Sequence, residues 1–237
     1  MEAIVLAGGF GTRLSSVVKD VPKPMAEVAG APFLAYLMDY LNTQKVGKAV
    51  LSVGYKHEVI EDYFGRRFKG VAIEYAVEDT ALGTGGAIRR ALEKISDETP
   101  VILNGDTLFR VDLSGALDCH RLSGAVLTMA LKRVAENDRY GSVMLDGNRI
   151  TGFREKTGEK EDSFINGGVY VINREIFGLF KESREKFSFE LDFLQKNIPL
   201  MNAVAYISNK YFIDIGIPRD YAKARKELFR MSKRIGL

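Results

Sequence analysis

Short apolar runs alternate with amphipathic stretches along the first half of this chain. Four apolar runs predict buried strands, at residues 2–6, 49–53, 71–77 and 101–103. Apolar positions at helical spacing predict helices at residues 32–44 and 57–64, and from the glycine cluster at 83–86 to about residue 95. Because this alternation is typical of βαβ units, it predicts a mostly parallel sheet with helices on both faces.

From residue 125 the pattern changes to strand-like runs separated by turns. These runs lie at residues 125–131, 142–145, 149–154 and 164–172. Further elements follow them: helices at 174–180 and 189–196, a strand at 203–208, and a basic surface helix at 219–234. We therefore predict an α/β fold with a β subdomain inserted after the first half, with residues 1–124 and 125–237 as two halves of one domain.

The loop after the first strand is rich in glycine. It contains Gly8, Gly9 and Gly11, followed by Arg13. Successive backbone N–H groups in such a loop can surround phosphate oxygens, and a guanidinium fork suits phosphate, so the loop predicts a nucleoside triphosphate site. It fits neither the P-loop, which needs Lys-Ser or Lys-Thr after the glycines, nor the dinucleotide fingerprint, whose third glycine is replaced by Leu14. On these residues alone, a glycine-rich turn without a ligand remains an alternative.

Composition narrows the function classes. A formal net charge of +3 in 237 residues is too small and too dispersed to indicate a nucleic-acid partner. The single cysteine, Cys119, excludes an internal disulfide and fits a reducing compartment. No long apolar run or signal-peptide pattern is present, so we expect a cytoplasmic protein without a membrane partner. His57 and His120 have no partner at metal-ligand spacing, and neither receives a role.

A lysine between two prolines changes the interpretation of the glycine loop. Pro22 and Pro24 restrict the backbone on both sides of Lys23, so this lysine is held in place. Together the stretches read G-G-x-G-T-R-L and then P-K-P, which resembles the signature of the sugar-1-phosphate nucleotidylyltransferases. The resemblance extends along the whole chain. It implies a Rossmann-like, three-layer α/β/α domain of the glycosyltransferase-A type, with a mixed central sheet and an inserted sugar-binding β subdomain.

In that family the glycine loop and arginine hold the triphosphate, and the lysine stabilises the reacting phosphates. The resemblance implies these nucleotide-binding residues: Leu6, Ala7, Gly8, Gly9, Gly11, Thr12, Arg13, Glu78, Gly83, Thr84 and Asp106. The catalytic residues that it implies are Arg13, Lys23, Asp106, Lys156 and Asp214.

Two aspartates follow apolar runs and are candidate metal ligands. Asp106 stands in N-G-D-T-L after the strand at 101–103, and Asp214 stands in D-I-G-I-P. Asp is also common at helix N-caps, but the next helical pattern begins only near residues 112–114. Mg²⁺ takes one or two carboxylates and completes its shell with water and phosphate. Pairing Asp106 with Asp214 rests on the family, in which both hold magnesium, for which Mn²⁺ can substitute.

Glu78 is the candidate for recognition of the base, because the family uses this segment for it. A carboxylate can accept from both N1–H and N2–H₂ of guanine, whereas uracil and thymine offer one donor, so the residue favours GTP. A solvent-facing glutamate at a strand end is the alternative. The glycines that follow it, among them Gly83, form either a plain tight turn or a surface for a flat ring.

Three marks in the second half resemble the sugar pocket of the family. They are Gly141 after Tyr140, the pair Glu155-Lys156, and Asn166-Gly167 in I-N-G-G-V-Y. Glu155 and Asn166 can hydrogen-bond sugar hydroxyls, and Lys156 can hold the sugar phosphate. Without the resemblance, Glu155-Lys156 is an ordinary surface pair and Asn166 a bulge residue.

Within the family, the chain most resembles the bacterial D-glycero-α-D-manno-heptose 1-phosphate guanylyltransferases, which supply surface polysaccharide such as capsule or S-layer glycan. The motifs behind this are E-x-x-x-L-G-T-G-G-A, K-F-S-F-E and Y-F-I-D-I-G-I-P. Mannose-1-phosphate guanylyltransferases, N-acetylmuramate-1-phosphate uridylyltransferases and a non-catalytic nucleotide-sugar sensor are alternatives. The expected partners are GTP and a sugar 1-phosphate, and a homodimer is left open.

Overall fold

The computed structural model describes residues 1–9, 14, 18, 21–137, 141–154 and 161–235. In these ranges the strands are β1 (Glu2–Leu6), β2 (Glu27–Val28), β3 (Ala31–Pro32), β4 (Lys48–Val53), β5 (Arg67–Phe68), β6 (Val71–Val77), β7 (Val101–Asn104), β8 (Thr107–Phe109), β9 (Leu127–Asn137), β10 (Ser142–Asp146), β11 (Arg149–Arg154), β12 (Glu161–Ile172), β13 (Ala203–Ile207) and β14 (Phe212–Asp214). The helices are α1 (Phe33–Thr43), α2 (His57–Phe64), α3 (Gly83–Leu92), α4 (Leu113–Leu122), α5 (Ile176–Leu179), α6 (Gln195–Asn197) and α7 (Pro218–Ile235). Single turns of 3₁₀ helix lie at Lys23–Met25 and Ile198–Leu200, and a π-helical turn at Phe189–Leu194.

Ten strands form one mixed sheet in the order β10-β11-β13-β9-β12-β7-β1-β4-β6-β5. Its first half is parallel as predicted, with β1 between β4 and β7 and Ile4 aligned with both Val50 and Ile102. The second half is mainly antiparallel and joins the first where β12 pairs with β7, Tyr170 opposite Ile102. The strands after residue 125 therefore extend the same sheet across both halves of the chain.

Alternation along the strands produces two apolar cores, one on each face of the sheet. Ala3 and Val5 of β1 pack in the core that contains α1, α2 and α4, while Ile4 points into the opposite core. That second core contains α3 and the π-helical turn, with Ile88 and Phe193 completely buried. This three-layer arrangement confirms the predicted fold class.

A small two-stranded ribbon lies beside the main sheet and positions the site. In it, β8 pairs antiparallel with β14, with Asp214 opposite Thr107. No helix in the described part of the chain combines the length and the apolar character needed to cross a bilayer.

Candidate active site

A cleft of about 350 Å³ opens where four parallel strands end. Leu6, Ser52 and Asn104 lie at the carboxyl ends of β1, β4 and β7, and Glu78 directly follows β6. Ligands bind at this edge in open α/β sheets. The lining residues described in the structure are Leu6, Gly8, Gly9, Lys23, Pro24, Ser52, Glu78, Ala81, Gly83, Thr84, Ala87, Asn104, Asp106 and Gly216.

Asp106 lines one corner of the cleft, and the backbone places Asp214, the second predicted metal ligand, next to it. The β8–β14 ribbon places Asp214 opposite Thr107, and the Ile215 N–H donates to the Asp106 carbonyl at 3.0 Å. The Asp214 carboxylate accepts from the Gly216 N–H, and the Asp106 carboxylate accepts from the Thr107 hydroxyl at 3.1 Å. These local bonds fix the direction of each carboxylate before any ligand arrives.

Lys23 neutralises the same corner. It begins the 3₁₀ turn Lys23–Met25, which Pro22 precedes with φ at −59°. Its side chain is only 12% exposed, and its ammonium forms an ion pair with Asp106 Oδ2. The lysine therefore lies in the cleft wall, restrained by the prolines and by a buried stem.

Glu78 points into the cleft with its carboxylate oriented by two donors. The Ser52 hydroxyl donates to Oε1 and the Leu82 N–H to Oε2, both at 3.0 Å. A Cβ added at Gly8 would lie 2.9 Å from Glu78 Oε1, so the glycine loop passes close to this carboxylate. The side chain lines the cleft and also braces the turn that leads into α3.

The second glycine cluster packs against the protein's own chain. A Cβ at Gly83, where φ is +72°, would meet the Phe187 carbonyl at 2.5 Å, and one at Gly85 would meet the Phe187 ring at 2.1 Å. The Gly85 N–H donates to the Phe187 carbonyl at 2.9 Å, and the Phe187 N–H donates to the Leu82 carbonyl at 3.0 Å. We call residues 182–190 the strap. Its close contact with α3 explains these glycines without a bound ring.

A second pocket of about 260 Å³ contains two of the predicted sugar-side residues, Gly141 and Asn166. Asn166 uses its amide internally: Nδ2 donates to the Tyr170 hydroxyl at 2.7 Å, and Oδ1 accepts from the Gly168 N–H at 2.9 Å. The Tyr170 hydroxyl in turn donates to Glu190 at 3.1 Å. Burial, and then the nearby Glu190 carboxylate, raise the pKa of Tyr170 well above its usual value, so the phenol stays protonated.

Several predicted site residues lie outside the described ranges: Gly11, Thr12, Arg13, Glu155 and Lys156. Gly167 is buried against the Phe109 ring, and Ala7 is buried with its N–H donating to the Ser52 carbonyl. Neither residue is among the described residues that line the two pockets. Their predicted contacts with ligands stay predictions.

Sequence reasoning gave no role to Ser52, Asn104 or Glu190. The sequence contains one indication of a role for Ser52, because it is the only polar residue in the apolar run at 49–53. Glu190 belongs to the quoted K-F-S-F-E, but its partners Thr84 and Tyr170 come from distant elements. In the described residues no three His, Cys, Asp or Glu side chains gather into a metal cluster.

Comparisons with known proteins agree with this geometry. The chain matches the family model described as nucleotidyl transferase over residues 2–230. The D-glycero-alpha-D-manno-heptose 1-phosphate guanylyltransferase of Aneurinibacillus thermoaerophilus is 52% identical over 228 residues, which cover 96% of this chain and 98% of that protein. The protein of the same name from Campylobacter jejuni is 45% identical over 222 residues, covering 93% and 97%.

Solved structures give the same result. HddC from Yersinia pseudotuberculosis complexed with GMP-PN superposes with a TM-score of 0.85 at 36% identity, covering 96% of this chain and 99% of that one. The structure of a glucose-1-phosphate thymidylyltransferase candidate from Bacillus anthracis has a TM-score of 0.83 at 21% identity and is similar in fold alone.

Proposed function

The chain belongs to the nucleotidyl transferase family, and from that premise we propose that it transfers a guanylyl group from GTP to D-glycero-α-D-manno-heptose 1-phosphate. The products are GDP-heptose and pyrophosphate. The observation that carries the proposal is the 52% identity to a heptose 1-phosphate guanylyltransferase over 98% of its length. The cleft at the strand ends, with Lys23, Asp106 and Glu78 in its wall, has the chemistry that this reaction needs.

The reaction needs no general base. The second phosphate pKa of a sugar 1-phosphate is about 6, so an anionic oxygen is available at neutral pH. That oxygen forms a bond to the α-phosphorus of GTP while the bond from the α-phosphorus to the bridging oxygen breaks, and pyrophosphate leaves with the electron pair. Catalysis then depends on positioning two anionic reactants and stabilising the leaving charge.

The residues of the corner fit a divalent cation. Mg²⁺ binds through one or two carboxylates and substrate phosphates. The register of β14 on β8 and the bond from the Ile215 N–H to the Asp106 carbonyl make Asp106 and Asp214 neighbours, which supports this assignment. We assign Asp106 and Asp214 to Mg²⁺, with Mn²⁺ as a substitute. When bound, the ion supplies positive charge to the phosphates.

Within the described part of the chain, the Lys23 ammonium also supplies positive charge for the phosphates. Its ammonium already pairs with Asp106, so it reaches the place where the triphosphate and the metal ligands meet. By resemblance, Arg13 holds the triphosphate and Lys156 the sugar phosphate. Gly141 and Asn166 would then face the sugar.

The assignment of GTP depends on Glu78. The Ser52 and Leu82 donors orient its carboxylate in the cleft wall, and a carboxylate retains lone pairs for the paired N–H donors of guanine. As parts of the same proposal, we expect a cytoplasmic enzyme, no nucleic-acid or membrane partner, and a product used for bacterial surface polysaccharide.

The test is a matrix of pyrophosphate-release assays. Each of GTP, ATP, UTP and dTTP is combined with heptose 1-phosphate and with mannose 1-phosphate, in the presence and absence of Mg²⁺. We expect the highest kcat/KM for GTP with heptose 1-phosphate, and no turnover when EDTA removes the metal. A preference for another nucleotide or sugar under saturating Mg²⁺ contradicts the assignment. Binding of GDP-heptose without any turnover would indicate a sensor.

A further inference from the structure

The nucleotide cleft and the second pocket are neighbours, because residues that line them contact each other on two sides. On one side, Thr84 of the cleft donates its hydroxyl to Glu190 of the second pocket at 2.7 Å. On the other side, a Cβ at Gly168 would lie 2.8 Å from the Asn104 amide nitrogen, so Gly168 lies between Asn104 of the cleft and Asn166 of the second pocket. The second pocket therefore adjoins the cleft on its sugar side.

Glu190 stands at this junction with its orientation fixed. Its Oε1 accepts from Tyr170 at 3.1 Å and its Oε2 from Thr84 at 2.7 Å. Each hydroxyl also accepts a bond of its own, Tyr170 from the Asn166 amide at 2.7 Å and Thr84 from the Phe189 N–H at 2.8 Å. Because those bonds turn both hydroxyl protons toward Glu190, the two hydroxyls select a carboxylate at this position.

The carboxylate has capacity for further donors. Two carboxylate oxygens offer about four lone-pair positions, and Tyr170 and Thr84 use one on each oxygen. A longer contact of 3.4 Å from the Ser188 hydroxyl also reaches Oε2. Oε1 therefore accepts from fewer described donors than Oε2 and has more capacity left for a ligand hydroxyl.

The direction of the sugar follows from its phosphate. If the phosphate lies beside the Lys23–Asp106 corner, the second pocket receives the end of the sugar remote from C1. In a heptopyranose that end bears an exocyclic C6–C7 arm with two hydroxyls, whereas mannose has one hydroxyl there. The pocket is lined by apolar Phe153 and Leu191 and by hydrogen-bonding side chains, a combination that suits a short polyol arm. The hydrogen-bonding residues are Arg154, Asn166, Glu190 and Gln195.

Resting on the function proposed above, we propose that Glu190 binds the exocyclic hydroxyls of the heptose and thereby distinguishes heptose 1-phosphate from mannose 1-phosphate. The orientation of its carboxylate by Tyr170 and Thr84 makes it a specificity residue on the sugar side. It contacts the nucleotide only indirectly, through Thr84.

The experiment measures kcat/KM for both sugar phosphates in wild type and in Glu190→Gln. The amide removes one acceptor and introduces a donor where two hydroxyl protons already point. We expect kcat/KM for heptose 1-phosphate to fall about ten- to a hundredfold, mainly through KM. The loss for mannose 1-phosphate should be smaller, so the preference for heptose shrinks, while the KM for GTP changes less than about twofold.

Asp192→Asn is the matched control. Asp192 lies two residues further along the same turn, but its carboxylate accepts from the Ser188 N–H and faces Arg184 outside the pocket. It removes the same charge, and we expect the sugar preference to stay unchanged. If Glu190→Gln does not fold, Gln195→Ala alters an exposed side chain of the same pocket and should shift the preference in the same direction.

Equal losses for both sugars in Glu190→Gln, or the same shift in Asp192→Asn, overturn the proposal and assign Glu190 to support of the strap. Wild-type enzyme that turns over mannose 1-phosphate and not heptose 1-phosphate contradicts the proposed function itself. Failure of the Glu190 proposal would therefore be seen in the variants, and failure of the proposed function would be seen in the wild-type enzyme.

Discussion

Two glycine-rich loops border the same cleft, and they serve different purposes. At Gly9, after β1, an added Cβ would have no described atom within 4 Å, so the described residues leave the space beside Gly9 open. At Gly85, in the first turn of α3, the same Cβ would lie 2.1 Å from the Phe187 ring. The first loop leaves room for a ligand, while the second leaves room for the protein's own strap.

The comparison shows that glycine content alone does not identify a ligand loop. Both clusters follow apolar strands, so they resemble each other in sequence. The difference is made by Phe187 and Glu185, whose carbonyl would be 2.3 Å from a Cβ at Gly86. Two guanidinium groups, those of Arg89 and Arg184, lie over the Phe187 ring at 5.2 and 5.7 Å and hold the strap in this position.

The largest loss of activity is expected at the charged corner that contains Lys23, Asp106 and Asp214. Asp106→Asn or Asp214→Asn should lower turnover at least about a hundredfold, because each removes a carboxylate proposed to hold Mg²⁺. The measurement is kcat across a Mg²⁺ titration, with thermal unfolding to show that the fold is intact. Asp118→Asn, on the exposed face of α4, is the control. Near-normal turnover in either variant removes that residue from the metal site.

The second-largest effect is expected at Glu78, whose carboxylate lies close to Gly8 of the first loop. It tests whether Glu78 recognises the guanine base. Glu78→Gln should lower kcat/KM for GTP about ten- to a hundredfold, since the amide turns a donor toward a guanine donor. UTP and dTTP should lose less, because one acceptor serves their single N–H. The assay is a competition among four nucleotides, with Asp79→Asn, whose side chain is 87% exposed, as the control. Equal losses for all nucleotides would mean that Glu78 only braces the Leu82 turn.

A stability measurement examines the second loop. Gly85→Ala forces the Phe187 ring to move, and overpacking of this kind lowers the free energy of unfolding by about 1–3 kcal/mol. For a chain of this size the Tm should drop by about 2–4 °C per kcal/mol. Differential scanning calorimetry on Gly85→Ala and on Gly85→Ala/Phe187→Ala separates ring overlap from helix propensity. An unchanged Tm in the single variant refutes the packing explanation.

The smallest effect is expected for Gly9→Ala in the first loop, which should alter GTP binding and leave stability unchanged. Gly9→Ala has room for its methyl group, so the Tm should stay within about 1 °C of wild type. The methyl group intrudes on the cleft, and the KM for GTP should rise about tenfold, or about 1.4 kcal/mol. If Gly9→Ala instead lowers the Tm as much as Gly85→Ala does, the contrast between the two loops is lost.

The parallel half of the fold was predictable because its signals are local. The helix at 57–64 and the strand at 71–77 have the predicted bounds, since their periodicity is clear and a glycine ends the helix at Gly65 and precedes the strand at Gly70. The helix predicted at 189–196 is instead a π-helical turn followed by α6, because the Ser188 carbonyl accepts from both Asp192 and Phe193. Such shared bonding has no signature in apolar spacing.

The candidate site was less predictable, because its parts meet through long-range contacts. The bond between Thr84 and Glu190 spans 106 residues, and no local pattern links a threonine in a glycine turn to a glutamate in an aromatic segment. From the sequence, the glycine cluster at 83–86 allowed two alternatives, a plain tight turn or a surface for a flat ring. The strap that occupies that space could only be found in three dimensions.

The pairing of β14 with β8 also makes the acidic corner depend on the order of synthesis. Chains emerge from the ribosome N-terminus first, so the glycine loop, Lys23, Glu78 and Asp106 are all exposed to folding before residues 212–214 exist. Until then Asp106 has Lys23 as its partner but lacks the strand that aligns Asp214 beside it. A ribosome-bound chain stalled before β14 would have a nucleotide cleft with half of its acidic corner. The acidic corner is therefore completed only after β14 has been synthesised.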